Sequence, residues 1–195
     1  YADAVWVARK GRHLGGLAFI AHPFWVSDDE FHLDRRVARQ LLVDGEVDGI
    51  ELLGDVDFED NMLAIAGYMA MLQQGVSTTV VGNSDTHGLE HTYGWYWTTL
   101  FVREYSESGI LEALKDGCSV ACTCLPGERL RIYGPLRLVE YAYFLHREFF
   151  PHKDTLCAQQ TRSERGEGIK IIGGALEAWY RRCFASLTVS PLPTL

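Results

Sequence analysis

The sequence predicts an α/β domain whose strands run mostly parallel. Three observations carry this. The apolar, β-branched runs Leu17–Ala21, Val47–Leu53 and Thr78–Val81 each stop abruptly at polar or turn-forming residues, as strands buried on both faces do. Segments of helical period stand between them. The alternation continues to Cys122 and gives about five strands with three helices, the pattern of parallel strands joined by helical crossovers.

Taken in order, Ala2 to Arg12 reads as a short helix with the basic pair Arg9-Lys10 near its end, broken by Gly15-Gly16. The strand Leu17–Ala21 ends at His22, and Pro23 stops it. Val26 to Leu33 is polar and reads as loop. Asp34 is an N-cap for a helix through Val43, with Val37, Leu41 and Leu42 on its apolar face. The strand Val47–Leu53 carries Glu51 near its end, and Asp55 to Asp60 is an acidic loop. Asn61 to Gln74 is strongly helical, with Met62, Ile65, Ala66, Met69 and Leu72 as its apolar face and Gly75 as its stop. After the strand ending in Asp85-Thr86-His87, a loop to Gly94 contains His91. Tyr96 to Val102 reads as strand, Ser106 caps a helix to Lys115, and Cys118 to Cys122 reads as the last short strand.

Beyond residue 124 the character changes. Pro135 to Phe150 is amphipathic and aromatic, Lys153 to Lys170 is polar, and Ile171 to Ser186 reads as a second helix before the tail with Pro191 and Pro193. The expected organisation is an α/β portion over residues 1–124 and a helical C-terminal appendage over 125–195.

Composition narrows the function classes. The chain has 195 residues, 47% of them hydrophobic and 23% charged, enough for one domain with a sizeable core. Its 18 Lys and Arg against 26 Asp and Glu give a net charge of −8, which argues against a broad nucleic-acid-binding face. An anionic substrate stays open, because a bound metal brings its own positive charge. The five cysteines are odd in number and form no Cys-x-x-Cys, so reduced thiols and a cytoplasmic location are expected. Cys122-x-Cys124 reads as core and surface of one strand rather than a metal pair. No apolar run of about 18 residues predicts a membrane span, and no signal-peptide pattern is present.

The chemistry gathers where strands end. Asp85 and His87 stand two apart after a buried strand, so in an extended segment both side chains point the same way. Carboxylate oxygen and imidazole nitrogen together suit Zn²⁺, Mn²⁺ or Fe²⁺. The structural alternative is that Asp85 caps the next turn and His87 packs beside it. His22 repeats the design at the end of a second strand. Glu51, at a third strand end, suits a ligand, a general base or an acceptor that orients a liganding histidine, and equally a solvated carboxylate. Trp25, Trp95 and Trp97 flank these residues as pocket walls or as core. No Gly-x-Gly-x-x-Gly, Walker loop or Gly-x-Ser-x-Gly occurs.

Ile20-Ala21-His22-Pro23, Asp48-Gly49-Ile50-Glu51 and Gly82-Asn83-Ser84-Asp85-Thr86-His87, in this order, resemble the later motifs of the PHP (polymerase and histidinol phosphatase) family, in particular its CehA/McbA-like metallohydrolases. The resemblance covers roughly residues 14–124. It implies part of a distorted (β/α)7 barrel, two or three divalent metal ions at the strand carboxyl ends, and hydrolysis of small phosphorylated substrates by metal-activated water. His22 matches the family's His-Pro ligand, Asp85 and His87 its Asp-x-His ligands, and Glu51 a recurrent acidic position. The resemblance thus implies His22, Asp85 and His87 as metal residues and Asp85, His87 and Glu51 as catalytic ones. The His-x-His with which the family opens is absent. Since the chain begins at Tyr1 within a helical pattern, that motif is expected upstream of it. The alternative is a degenerate, non-catalytic PHP-like binding or regulatory domain; a third possibility is an unrelated α/β domain in which these residues are structural.

Overall fold

A computed structural model of the chain describes residues 1–27, 30–31, 33–54, 58–87, 94–153 and 155–156. Its elements are α1 (Ala2–His13), β1 (Phe19–Ile20), β2 (Val26–Ser27), β3 (Glu30–Phe31), α2 (Arg35–Val43), β4 (Gly49–Leu53), α3 (Phe58–Gln73), β5 (Thr79–Gly82), β6 (Tyr96–Leu100), α4 (Glu107–Lys115), β7 (Ser119–Thr123), β8 (Arg131–Tyr133) and α5 (Leu136–Phe144), the last followed by a π-helical turn, Leu145–Phe149. It is a mixed α/β fold.

The parallel sheet has the order β1-β4-β5. Phe19 pairs with Gly49 and Ile20 with Ile50, while Gly49 pairs with Thr79 and Ile50 with Val80. Every residue of β4 is buried, as expected of a central strand covered on both faces. Asp48 fixes where β1 begins. Its carboxylate accepts from Arg12 of α1 through Nε and a terminal nitrogen, both at 3.1 Å, and from the Ala18 N–H at 2.7 Å. Two helices start at the expected caps: Asp34 accepts from the N–H of Arg36 and Val37, and Ser106 from that of Gly109.

The second three-stranded sheet, β6-β7-β8, is antiparallel throughout, which corrects the expectation of mostly parallel strands. Residues 101–118 are long enough to join β6 to β7 in either sense, so the strand–helix–strand pattern alone does not fix direction. The strand β8 lies where a helix-rich segment was expected, so Cys118–Cys122 is not the last strand. The segment from Val26, read as loop, contains the antiparallel pair β2–β3, whose two-residue strands are too short to show a period. Among the described residues the sheets are three and all open, so no closed sheet is present to show the expected part of a distorted (β/α)7 barrel. Hydroxyl groups join the edge of the parallel sheet to the antiparallel one. Thr98 Oγ1 donates to the Gly82 carbonyl at 2.7 Å and accepts from its N–H at 2.9 Å, and Ser119 Oγ donates to the Val80 carbonyl at 2.7 Å.

The α3 helix buries a different face from the one expected. Asn61, Ala64, Tyr68 and Met71 point inward, while Met62, Met69 and Leu72 are exposed. No charged residue occurs from Asn61 to Gln73, so the helix carries apolar groups all round and its sequence offers two stripes to the core. The inward stripe packs with Leu41, Ile50, Leu52 and Val80. A smaller core gathers Val120, Cys122, Ile132 and Ala142, with Trp97 and Phe101 packed against it. Cys122 is fully buried there, whereas Cys124 is exposed.

The chain divides into two compact units, Tyr1–Ala142 and Tyr143–Leu195. In the second, the rings of Phe149 and His146 each stand edge-on to Phe150, at 5.6 and 4.7 Å. The expected helix Ile171–Ser186, the loop at residues 163–168 and the proline tail lie outside the described residues, as does His91.

Candidate functional site

The carboxyl end of the parallel sheet brings the three motifs together around one buried carboxylate. Glu51 is 6% exposed. The His22 N–H donates to its Oε1 at 3.2 Å, and Asn83 Nδ2 donates to its Oε2 at 3.4 Å. Asn83 Oδ1 in turn accepts from the Asp85 N–H at 3.3 Å. Each strand end is thus linked to the next: β1 through His22, β4 through Glu51, β5 through Asn83 and Asp85. The β4–β5 register slips between Glu51 and Leu53, which places the carboxylate at an irregularity in the ladder.

Backbone geometry singles out two of these residues. His22 (φ 29°) and Asp85 (φ 45°) are the two non-glycine residues with positive φ among those described. Histidine and aspartate enter that region more readily than most side chains, yet holding them there costs on the order of 1 kcal/mol or more each. Such strain persists only where surrounding contacts over-determine it. The hydrogen bonds reaching Glu51 and Asn83 from these two N–H groups supply part of that constraint.

Burial raises the Glu51 pKa, because the carboxylate loses water. The His22 N–H, the Asn83 amide and the His22 imidazole oppose the rise, and the negative charge of Asp85 adds to it. The His22 ring stands edge-on to Trp25 at 5.0 Å, and its Nδ1 is buried without a hydrogen-bond partner. Asp85 Oδ1 lies 3.7 Å from His87 Nε2, and the His87 side chain is 89% exposed.

Two residues that the sequence reading passed over shape the site. A Cβ on Gly54 would fall 2.5 Å from Glu51 Oε1, so any other residue there would push the carboxylate from this position. Asn61 clamps that glycine, accepting from its N–H at 2.9 Å and donating to its carbonyl at 3.0 Å, with both bonds buried. The signal for Asn61 was its place as the one amide in the apolar body of α3 before Gln73. His22, Glu51, Asp60 and Asn61 line a recess of about 10 Å³, room for roughly one water. Asn61→Ala strands two buried peptide groups and is expected to cost about 2–4 kcal/mol. Urea unfolding measures this as a lower midpoint at unchanged slope; an unchanged midpoint would show that the clamp contributes nothing.

Of the expected wall residues, Trp25 touches His22, whereas Trp97 packs into the second core. The expected metal residues differ in how far the structure gathers them. Imidazole and carboxylate suit a divalent cation, and the partnerless Nδ1 of His22 is a donor awaiting something. Among the described residues, however, no three His, Cys, Asp or Glu side chains gather as a set able to hold a metal ion. Among the described residues His22 is tied to Glu51 and Asp85 to His87, and no ligand cage is closed.

No family model and no curated protein matches the chain. Among solved structures, it is similar to the crystal structure of a two-domain protein from Bacteroides vulgatus ATCC 8482 containing a predicted PHP-like metal-dependent phosphoesterase, at 24% identity and a TM-score of 0.45. The likeness covers 58% of this chain and 34% of that one. The chain therefore spans about a third of that protein's length, and a likeness this loose decides neither fold nor activity. No helix among the described residues is long and apolar enough to cross a membrane.

Proposed function

We propose that the chain carries part of the site of a metal-dependent hydrolase, and more narrowly of a phosphoesterase acting on small phosphorylated substrates. His22, Asp85 and His87 are its metal residues, for Zn, Mn or Fe. The reading rests on one observation above the others: the two strained non-glycine residues are the two motif residues whose N–H groups lead, directly or through Asn83, to the same buried Glu51. The order of the His-Pro, Asp-Gly-Ile-Glu and Asp-x-His motifs supports it. A bound divalent ion supplies charge neutralisation at phosphoryl oxygen and a water of lowered pKa. The chain's own groups do the positioning. Glu51 holds the turn that carries the His22 imidazole, and Asn83 holds the turn that carries Asp85. Pro23, itself buried, fixes the chain beyond His22.

The absence of a three-residue ligand cluster among the described residues favours a second reading, a PHP-like scaffold that binds a phosphorylated ligand without hydrolysing it. One experiment separates the two. Metal-stripped protein is titrated with Mn²⁺ and Zn²⁺ and assayed on p-nitrophenyl phosphate and bis(p-nitrophenyl) phosphate. Weak metal binding is expected, since a catalytic zinc normally takes three protein ligands. Asp85→Ala and His87→Ala should each reduce metal affinity by about tenfold or more and bring metal-dependent hydrolysis to background. His146→Ala, in the second unit, should change neither. Saturable phosphate binding without turnover would select the scaffold reading. Full metal affinity in Asp85→Ala would refute the metal-dependent hydrolase reading.

A further inference from the structure

Away from the strand ends, between α2 and α3, lies a cleft of about 250 Å³. Its inner surface is apolar: Ala38, Leu42, Ile50 and Met71 are each less than a tenth exposed. The cleft exists because the residues facing each other are small. Gly67 and Ala70 stand on α3 opposite Ala38 on α2, and a Cβ at Gly67 would already press to 3.3 Å on the Phe24 ring. Apolar walls open to water favour an apolar occupant, which removes their surface from it. A dry cavity of roughly 150 Å³ suffices for a benzene ring, so this one has room for a short alkyl chain or an aromatic group.

The rim has a definite charge. Arg35 and Arg39, one helical turn apart, both line the cleft, and among the described residues its lining contains no acidic group. The α2 segment Arg35–Val43 contains three arginines and no carboxylate, in a chain of net charge −8. The third arginine, Arg36, does not line the cleft and lies 3.7 Å from the capping Asp34. The Arg35 guanidinium stands 5.8 Å over the Phe24 ring, and Arg39 donates to the neutral side chain of Gln74. Two guanidinium groups at the mouth of an apolar cleft match a ligand with an apolar body and one anionic end. Planar guanidinium favours a carboxylate, which it can meet with paired hydrogen bonds.

We propose that the α2–α3 cleft binds a small carboxylate with an apolar tail, such as a medium-chain alkanoate, with the tail against Ile50 and Met71 and the carboxylate on Arg35 and Arg39. The site does not depend on the hydrolase reading. Octanoate and 1-octanol, titrated by calorimetry into protein containing EDTA, separate the two parts of the idea. Octanoate is expected to saturate one site and to bind about tenfold more tightly than 1-octanol, since only octanoate engages the arginines. The double variant Arg35→Gln, Arg39→Gln should lose that tenfold and keep its octanol affinity. Ala70→Trp, an exposed position whose change leaves the core intact, should block both ligands by filling the cleft; circular dichroism checks its fold. Octanoate binding no tighter than octanol, or undiminished in the arginine variant, would overturn the proposal, as would wild-type binding in a folded Ala70→Trp protein.

Discussion

Replacing Gly49 by alanine is expected to remove a large part of the stability of the first unit. Gly49 sits in the centre of the parallel sheet, paired with Phe19 on one side and Thr79 on the other. An added Cβ would fall 2.3 Å from one carbon of the Phe19 ring and 2.6 Å from the Thr79 carbonyl oxygen. The ring can turn away, but the carbonyl belongs to the backbone of a strand in fixed register. The sheet must therefore open locally, at the strand that carries Glu51. Overpacking of a core typically costs 1–3 kcal/mol; with ladder bonds disturbed on both sides, about 3 kcal/mol or more is expected. That is a large share of the 5–15 kcal/mol that holds a typical domain together. Gly11→Ala is the matched control. It lies within α1 with nothing inside 4 Å of the new methyl group, and helix propensity favours the change by up to about 1 kcal/mol. Urea unfolding of the two variants should shift in opposite directions. Equal midpoints would mean that the close approach at Gly49 is not felt.

The same residue shows what the sequence made legible. The run through Ile50 to Leu53, apolar except at Glu51, is covered on both faces, and such a run is readable as a strand without any structure. The starts of α2 and α4 were equally readable, because Asp34 and Ser106 satisfy specific N–H groups of the first turn. Direction and facing were not. Nothing in Tyr96–Leu100 records that its neighbour runs antiparallel, and in α3 two apolar stripes compete. There Tyr68 and the Asn61–Gly54 clamp, not hydrophobicity alone, accompany the face that turns inward. At the candidate site, residue type disclosed His22, Asp85, His87 and Glu51, since imidazole and carboxylate at strand ends are chemically unusual. Their relations were not disclosed. Positive φ is readable at a glycine and silent at a histidine or aspartate. The space that Glu51 needs is recorded only in a glycine three residues on, whose role depends on a fold not yet known.

Glu51 also sets a pH effect expected in this protein. Burial raises its pKa above the ordinary value of 4.5. Between 4.5 and the higher folded value, the native state holds a proton on Glu51 that the unfolded state has released. Where the native state binds more protons, stability falls as pH rises. The penalty is absent below the unfolded value, where both states are protonated, and complete above the folded one. Glu51→Gln removes the titration and should flatten the stability curve over that interval. The amide keeps one oxygen for the His22 N–H but presents an NH₂ to Asn83, so the variant should be slightly the weaker at the acid end. Asn83 cannot relieve this by flipping its own amide without losing the bond to the Asp85 N–H. At the neutral end, where the wild-type carboxylate is buried and charged, the variant should be the more stable, and the two curves should cross. Asp34 and Glu46, held below the usual carboxylate range by hydrogen bonds from the Arg36 N–H and from Arg9 respectively, give the opposite slope in both proteins and cancel in the difference. The measurement is thermal unfolding of both proteins in EDTA from about pH 3.5 to 8, a span that brackets the ordinary carboxylate range. Curves that run parallel throughout would show that Glu51 binds its proton equally in folded and unfolded chains, and that the buried carboxylate joining the three strand ends is solvated after all.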